Sequence, residues 1–160
     1  MTDLDIRPTR FGAPAAQRLV AAALADQAER YGSPDANPVE AVEFDPPEGA
    51  FLVAWQGDEP VACAGWRTLA HFSGDGFAED VAEIKRMYVV PAARGTGAAA
   101  AILTAIEDSA RARGMRRVVL ETGLKQPEAI RFYEKCGYQR IANYGYYKEA
   151  PDCVSFGRDL

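Results

Sequence analysis

The stretch RMYVVPAARGTGAAAAILTAIE, Arg86 to Glu107, decides the fold. It opens as a strand, breaks at Pro91, passes through Arg94-Gly95-Thr96-Gly97 and runs into alanines. Pro91 has no N–H to give to a ladder, so the strand ends there. Gly95 and Gly97 permit positive φ and close approach of a ligand to the backbone. The small side chains of Ala98 and Ala99 leave the first helical turn unobstructed, with free N–H groups and the positive end of the helix dipole facing outward. A strand–turn–helix of this build binds an anion, most often a phosphate, and Arg94 adds charge at its rim. It is not a dinucleotide fingerprint, because Gly95-Thr96-Gly97-Ala98-Ala99-Ala100 lacks the last glycine. It is not a Walker loop either, because no Gly-Lys-Ser/Thr follows. On these residues alone, a tight β–α turn with a small-residue helix start is the competing reading.

Outward from the turn, Glu83 to Val90 reads as a strand. Residues 98–113 read as a helix with Ala99, Ile102, Leu103, Ile106 and Ala110 on one face, ended by Gly114. RRVVLET is the next strand, Pro127 to Cys136 a short helix ended by Gly137, and Tyr138–Ile141 and Asp152–Phe156 the last strands. Upstream, Leu4 to Thr9 reads as a strand and 13–31 as an amphipathic helix, with Pro14 in its first turn and Gly32 just past its end. A turn-rich segment follows, with a helical turn expected around Val39 to Val42. FLVAW and VACAGWRTL then flank a five-residue loop, Gln56 to Pro60, as a hairpin. HFSGDGFAED is a polar loop carrying His71. A hairpin in the middle of the chain cannot be parallel, so the order β-α-β-β-β-α-β-α-β-β predicts a mixed α+β sheet. The 160 residues suit one domain, 1–160.

Charge and composition exclude several classes. A net charge of −5 and a pI near 5.0 oppose non-specific attachment to nucleic acid. No apolar run approaches the roughly 20 residues of a membrane span. The start, MTDLDIRPTR, has no basic segment followed by an apolar one, so no membrane partner and a cytoplasmic location are expected. Cys63, Cys136 and Cys153 are odd in number and widely spaced, against a disulfide framework. With His71 the only histidine, neither a zinc site nor a histidine-based triad is expected.

VVPAARGTGAAAAIL, with Arg94-x-x-Gly97-x-Ala99, resembles the pyrophosphate-binding motif of the GNAT superfamily of N-acetyltransferases. About thirty residues on, QPEAIRFYEKCGY resembles that family's second cofactor motif. The run ETG…QPEAI…YEKCGY…NYGYY looks like a bacterial branch also seen fused to MarR-type regulators. The likeness is close over residues 80–140, and looser over the first 80.

The resemblance implies a mostly antiparallel mixed sheet with helices on both faces and two splayed parallel strands, here 83–90 and 117–122. It implies acetyl-CoA as cosubstrate and no metal. The pyrophosphate would rest on the amides of Arg94, Gly95, Thr96, Gly97, Ala98 and Ala99. The backbone around Met87, Tyr88 and Val89 would hold the pantetheine arm, one amide polarising the thioester carbonyl. Gln126 stands where the family often carries Asn. Tyr133 occupies the family's general-acid position, and its competing reading is an aromatic packed under the last strands. Glu83 lies where several members keep a catalytic glutamate. It would be the base, unless it is a strand-end carboxylate paired with Lys85 or an arginine. Glu121, at the end of the neighbouring strand, is the alternative base. A base is needed because only on the order of one primary amine in a thousand is neutral at pH 7. Asn143-Tyr144-Gly145-Tyr146-Tyr147 is either a specificity loop or a tyrosine-rich packing element. The implied activity is transfer of an acetyl group to the primary amine of a small molecule or amino-acid-like acceptor. The alternatives are acetylation of a protein N-terminus or lysine, and a non-catalytic acyl-CoA-binding module. A homodimer stays open.

Overall fold

The structure, a computed structural model, describes residues 3–72 and 76–160. In chain order the elements are β1 (Asp5–Pro8), α1 (Pro14–Tyr31), β2 (Gly49–Gln56), β3 (Glu59–Thr68), α2 (Leu69–Phe72), β4 (Val81–Val89), α3 (Ala98–Ala112), β5 (Arg117–Gly123), α4 (Pro127–Lys135), β6 (Gln139–Ile141) and β7 (Cys153–Asp159). Single turns of 3₁₀ helix stand at Ala41–Phe44 and Pro91–Ala93. The seven strands form one sheet in the order β1-β2-β3-β4-β5-β7-β6. Every neighbouring pair is antiparallel except β4 and β5, which run parallel over Val81↔Arg117, Ala82↔Val118 and Glu83↔Val119. Beyond Glu83 those two strands part. The mixed α+β architecture with a splayed parallel pair is therefore the one observed.

Helices cover both faces of the sheet. On one, Ile102, Leu103 and Ile106 of α3 and Tyr133 of α4 pack against Leu52, Trp66, Ile84, Leu120 and Phe156. The indole N–H of Trp66 is satisfied by Ser109 Oγ at 2.9 Å. On the other face Leu19 and Val20 of α1 meet Phe51, Val53 and Cys63, with Phe44 closing the cluster. Full burial of a side chain of this kind contributes about 1.5–3 kcal/mol. A Cβ at Gly65 would fall 2.7 Å from the rings of Phe44 and Phe51, so glycine lets those rings lie on the sheet.

Two local expectations are corrected. Gln56 pairs with Glu59, so the five-residue hairpin loop is a two-residue Gly57-Asp58 turn. Gly57 adopts φ 62°, the left-handed value that such tight hairpins require. Pro60 fits inside β3 because the register shifts beside it, between Ala54 and Trp55. The helical turn expected at 39–42 lies at Ala41–Phe44, where it drives Phe44 into the core. Of the HFSGDGFAED loop, Leu69–Phe72 forms the short α2 just before and into its start, and residues 73–75 lie outside the described residues.

β4 carries one irregularity that the pattern of its side chains does not announce. Cys63 pairs with Tyr88 and Gly65 with Lys85, leaving Arg86 and Met87 opposite a single residue of β3. Arg86 takes φ 56°, the one positive-φ non-glycine residue among those described. This is a β-bulge, which bends the strand and takes backbone groups out of the ladder. It falls where β4 and β5 have already separated.

Candidate active site

The site has two parts, one on each side of the bulge. The first is the turn after β4. Arg94 Nε donates to the Val89 carbonyl at 3.1 Å, and its guanidinium lies 5.7 Å from the centre of the Tyr88 ring. The Thr96 hydroxyl donates to the Ala93 carbonyl. These side chains fold back on the loop and brace it. Gly95 and Gly97 hold φ 78° and 88°, and nothing lies within 4 Å of a Cβ built on either. Glycine is therefore needed for the backbone angle and not for lack of room. Gly97 caps α3 without a side-chain hydrogen bond. The first amides of the helix have no intrahelical acceptor, and the open space beside the turn is where an anion would meet them. Ala98 is buried against the core, while Ala99 is half-buried.

The second part is a cavity of about 320 Å³ opening where β4 and β5 part. Met87, Gln126 and Tyr133 line it, whereas Tyr88 and Val89 serve the turn. Tyr133 is clasped by the rings of Phe132, Tyr138 and Phe156 at 5.3–6.2 Å, and its hydroxyl donates to Met87 Sδ at 3.3 Å. Burial pushes the phenol well above the usual tyrosine range, so it stays protonated and able to donate. Gln126 is the N-cap residue of α4, and its Oε1 accepts from the hydroxyls of Tyr31 at 3.2 Å and Thr122 at 3.4 Å. A Cβ at Gly123 would fall 2.1 Å from the Tyr31 oxygen, so that glycine admits the end of α1.

The two candidate bases part company. Glu83 is 1% exposed and does not line the cavity. Its Oε1 accepts from Arg67 at 2.8 Å and its Oε2 from the Tyr144 hydroxyl at 2.7 Å, while Arg67 reaches Glu43 at 2.8 Å with its other arm. Both oxygens are thus engaged in a buried Glu43–Arg67–Glu83–Tyr144 chain, and Lys85 is not its partner. Glu121 does line the cavity, with its side chain 9% exposed and Lys85 Nζ 3.8 Å from its Oε1. Burial raises its carboxyl to about 7; Lys85 and Arg67 pull it down, and Glu83 and Asp35 push it further up. Leu120 packs with Tyr133 on the α3/α4 side, so Glu121, next along β5, points to the opposite face. Glu121 and Tyr133 therefore reach one cavity from the two sides of the parted strands.

The mouth on the α1 side is built from residues that no short motif marks. Asp35 pairs with Arg86 and accepts from the Tyr147 hydroxyl at 2.7 Å. Burial alone would raise the Asp35 carboxyl, but Lys85 and Arg86 more than offset it and hold it below the usual range. Burial and the bond to Asp35 push Tyr147 up to about 12. The NYGYY segment divides. Tyr144 packs edge-on against Phe77 at 5.2 Å and anchors Glu83, Tyr147 lines the cavity, and Tyr146 is 58% exposed. Asn143 Nδ2 ties the segment to the Cys153 carbonyl at 3.0 Å. Asp35 and Arg86 were not singled out from the sequence, and Tyr147 was marked only as one of the NYGYY run. Their only advance signal is a Pro-rich loop carrying an aspartate and a glycine-hinged run of tyrosines. No cluster of three or more His, Cys, Asp or Glu that could hold a metal ion occurs among the described residues. No helix of theirs is long and apolar enough to cross a membrane.

Comparison with known proteins identifies the family of the fold. A protein named IAA acetyltransferase from Azospirillum brasilense is 37% identical over 109 residues, 68% of this chain and 65% of that relative. The match thus spans just under two thirds of the relative's length. A Klebsiella pneumoniae protein solved as a candidate acyl-CoA N-acyltransferase superposes with a TM-score of 0.81 at 25% identity, over 100% of this chain and 99% of that one. A GNAT family acetyltransferase from Elizabethkingia anophelis, solved with acetyl-CoA bound, shares the fold at a TM-score of 0.70 and 15% identity, with 100% of both chains covered. The model of the acetyltransferase (GNAT) family matches residues 14–138, from the start of α1 to the end of the second motif, and the chain belongs to that family.

Proposed function

We propose that the protein is an acetyl-CoA-dependent N-acetyltransferase acting on the primary amine of a small molecule. The observation that carries this is the pairing, across one cavity, of a carboxyl raised to about 7 with a phenol held protonated. Amine acylation needs both, a group that removes a proton from the ammonium and one that returns a proton to the departing thiolate. The cosubstrate supplies an activated acetyl thioester. The amides of Gly95 to Ala99 seat its pyrophosphate, and a backbone N–H at the Arg86–Met87 bulge, where two residues of β4 face one of β3, serves as donor to the thioester oxygen. We assign the base to Glu121 and not to Glu83, whose two oxygens are already engaged away from the cavity. Tyr133 gives its proton to the sulfur as the carbon–sulfur bond breaks. A cavity of about 320 Å³ favours a small acceptor over a folded protein surface.

The test is a thiol-release assay with acetyl-CoA and a panel of primary amines, with the acetylated product identified by mass. Amine-dependent thiol release is the expected result. Thiol release without an acetylated amine, or none with acetyl-CoA shown to bind, would end the enzymatic reading.

A further inference from the structure

Among the residues that line this cavity, three carry polar groups left over once the proposed chemistry is accounted for. Lys85 has its side chain 5% exposed, yet its only ion-pair partner among the described residues, Glu121, stands 3.8 Å away, beyond hydrogen-bond reach. Arg86 has its side chain 7% exposed; one terminal nitrogen serves Asp35 and the other the Asn37 carbonyl, and Nε is buried with no partner among the described residues. The side-chain oxygen of Gln27 is likewise buried and unpartnered. All three residues line the cavity. Native proteins rarely bury polar groups in this condition, and a ligand that satisfies them is one reason to do so.

We propose that the acceptor carries a carboxylate beside its amine, and that Lys85 holds this carboxylate while Glu121 receives the ammonium. The proposal rests on the acetyltransferase reading and narrows it to amino acids. Charge decides between acceptors. A bare ammonium drawn to Glu121 would enter a buried space next to the Lys85 ammonium, where like charges repel with little screening. A zwitterion avoids this by lying alongside the pair, its carboxylate against Lys85 and its ammonium against Glu121, so that each charge gains an opposite neighbour. Arg86 cannot supply its whole charge, because Asp35 already neutralises it, but its free Nε can donate to the second carboxylate oxygen. Ala23, Ile84 and Leu120 give the cavity apolar walls, which suit an aliphatic side chain.

The experiment measures kcat/KM for the common L-amino acids, each beside its amide, starting with L-leucine, L-leucinamide and 3-methylbutylamine. Intrinsic reactivity favours the amides, whose amine is less basic and more often neutral. A preference for the acid must therefore come from the protein. We expect the acid to exceed the amide and the amine by on the order of 10²-fold. Lys85→Met should bring the acid-to-amide ratio towards one, and Lys85→Arg should retain most of it. The ratio is the readout because Lys85 also influences Glu121, which shifts both rates together. Amides or amines turned over as well as the acids, or a ratio indifferent to Lys85→Met, would overturn the carboxylate anchor. So would acetylation of amines with none of any amino acid. Failure to bind acetyl-CoA in calorimetry would instead refute the acetyltransferase reading, and the anchor with it.

Discussion

The Arg94–Ala99 turn follows the end of β4, and the Glu121–Lys85 cavity opens where β4 and β5 part. The turn is made of backbone. Its side chains either brace the loop, as Arg94 and Thr96 do, or are absent, as at Gly95 and Gly97. The cavity is made of side chains drawn from β4, β5 and the loops holding Asp35 and Tyr147, and their charges set one another's behaviour. A seat made of amides tolerates little change in backbone angle and is indifferent to pH. A site made of coupled carboxylates and cations depends on pH, and one substitution can retune its neighbours.

The sharpest test of that contrast lies in the cavity. Glu121→Gln keeps the shape and removes the proposed base, and turnover should fall on the order of 10²-fold or more with acetyl-CoA affinity nearly unchanged. Tyr133→Phe, which deletes only the hydroxyl, should cost a similar factor by the same measurement. In the wild type, turnover should rise with pH through about 7 as Glu121 ionises, and the Gln variant should lose this limb. Stability should move the other way. A raised carboxyl keeps in the folded state a proton that the unfolded chain releases, so its contribution is complete below 4.5 and lost as pH rises through about 7. Glu121→Gln should therefore melt no lower than wild type at pH 8. A large drop in melting temperature there would mark Glu121 as structural.

The turn should answer to binding alone. Gly97→Glu places a side chain and a negative charge where φ is 88° and where the anion should lie. Calorimetry should show acetyl-CoA affinity reduced more than tenfold, with circular dichroism unchanged. Gly97→Ala isolates the backbone part, a cost of about 1–2 kcal/mol for a left-handed residue. Unchanged affinity in the Glu variant would remove the phosphate seat from this turn.

The smallest effect is expected at Glu83. Its charge pushes the Glu121 carboxyl up, so Glu83→Gln should move the rising limb of the pH–rate profile to lower pH and leave the plateau near the wild-type value. Removing one partner of a buried ion pair costs about 3–5 kcal/mol of stability, and Tyr144→Phe, a milder change in the same chain, serves if the Gln variant folds poorly. A plateau that collapses at every pH in the Gln variant would return the base to Glu83.

The same contrast explains what could be read in advance. Pro91, Gly95 and Gly97 act on their own dihedral angles, so their meaning is visible in a window of a few residues. The order of strands and helices was readable for a similar reason, since side-chain periodicity is local. The hairpin was misjudged because Pro60 looked like a loop residue, and only the register shift at Ala54 and Trp55 lets it enter a strand. The chain alone favoured Glu83 as the base and kept Glu121 as the alternative, with nothing local to separate them. Each is a strand glutamate, and what separates them is that Arg67, sixteen residues before Glu83, and Tyr144, far beyond it, converge on one and not the other. The Arg86 bulge has no local marker, because arginine has no preference for the angle it adopts there.

The parting of β4 from β5 after three paired residues has a further consequence. A sheet normally hides its edges at its two outer strands, but this one carries a rift in its middle, with donors and acceptors facing each other across a gap too wide to bridge. Such a rift is an invitation to any extended chain, including a neighbour's. It also makes the centre of the molecule, not its rim, the region where amide protons should exchange early. A ligand arm lying in the rift would act as a missing strand, zipping the two halves of the sheet together.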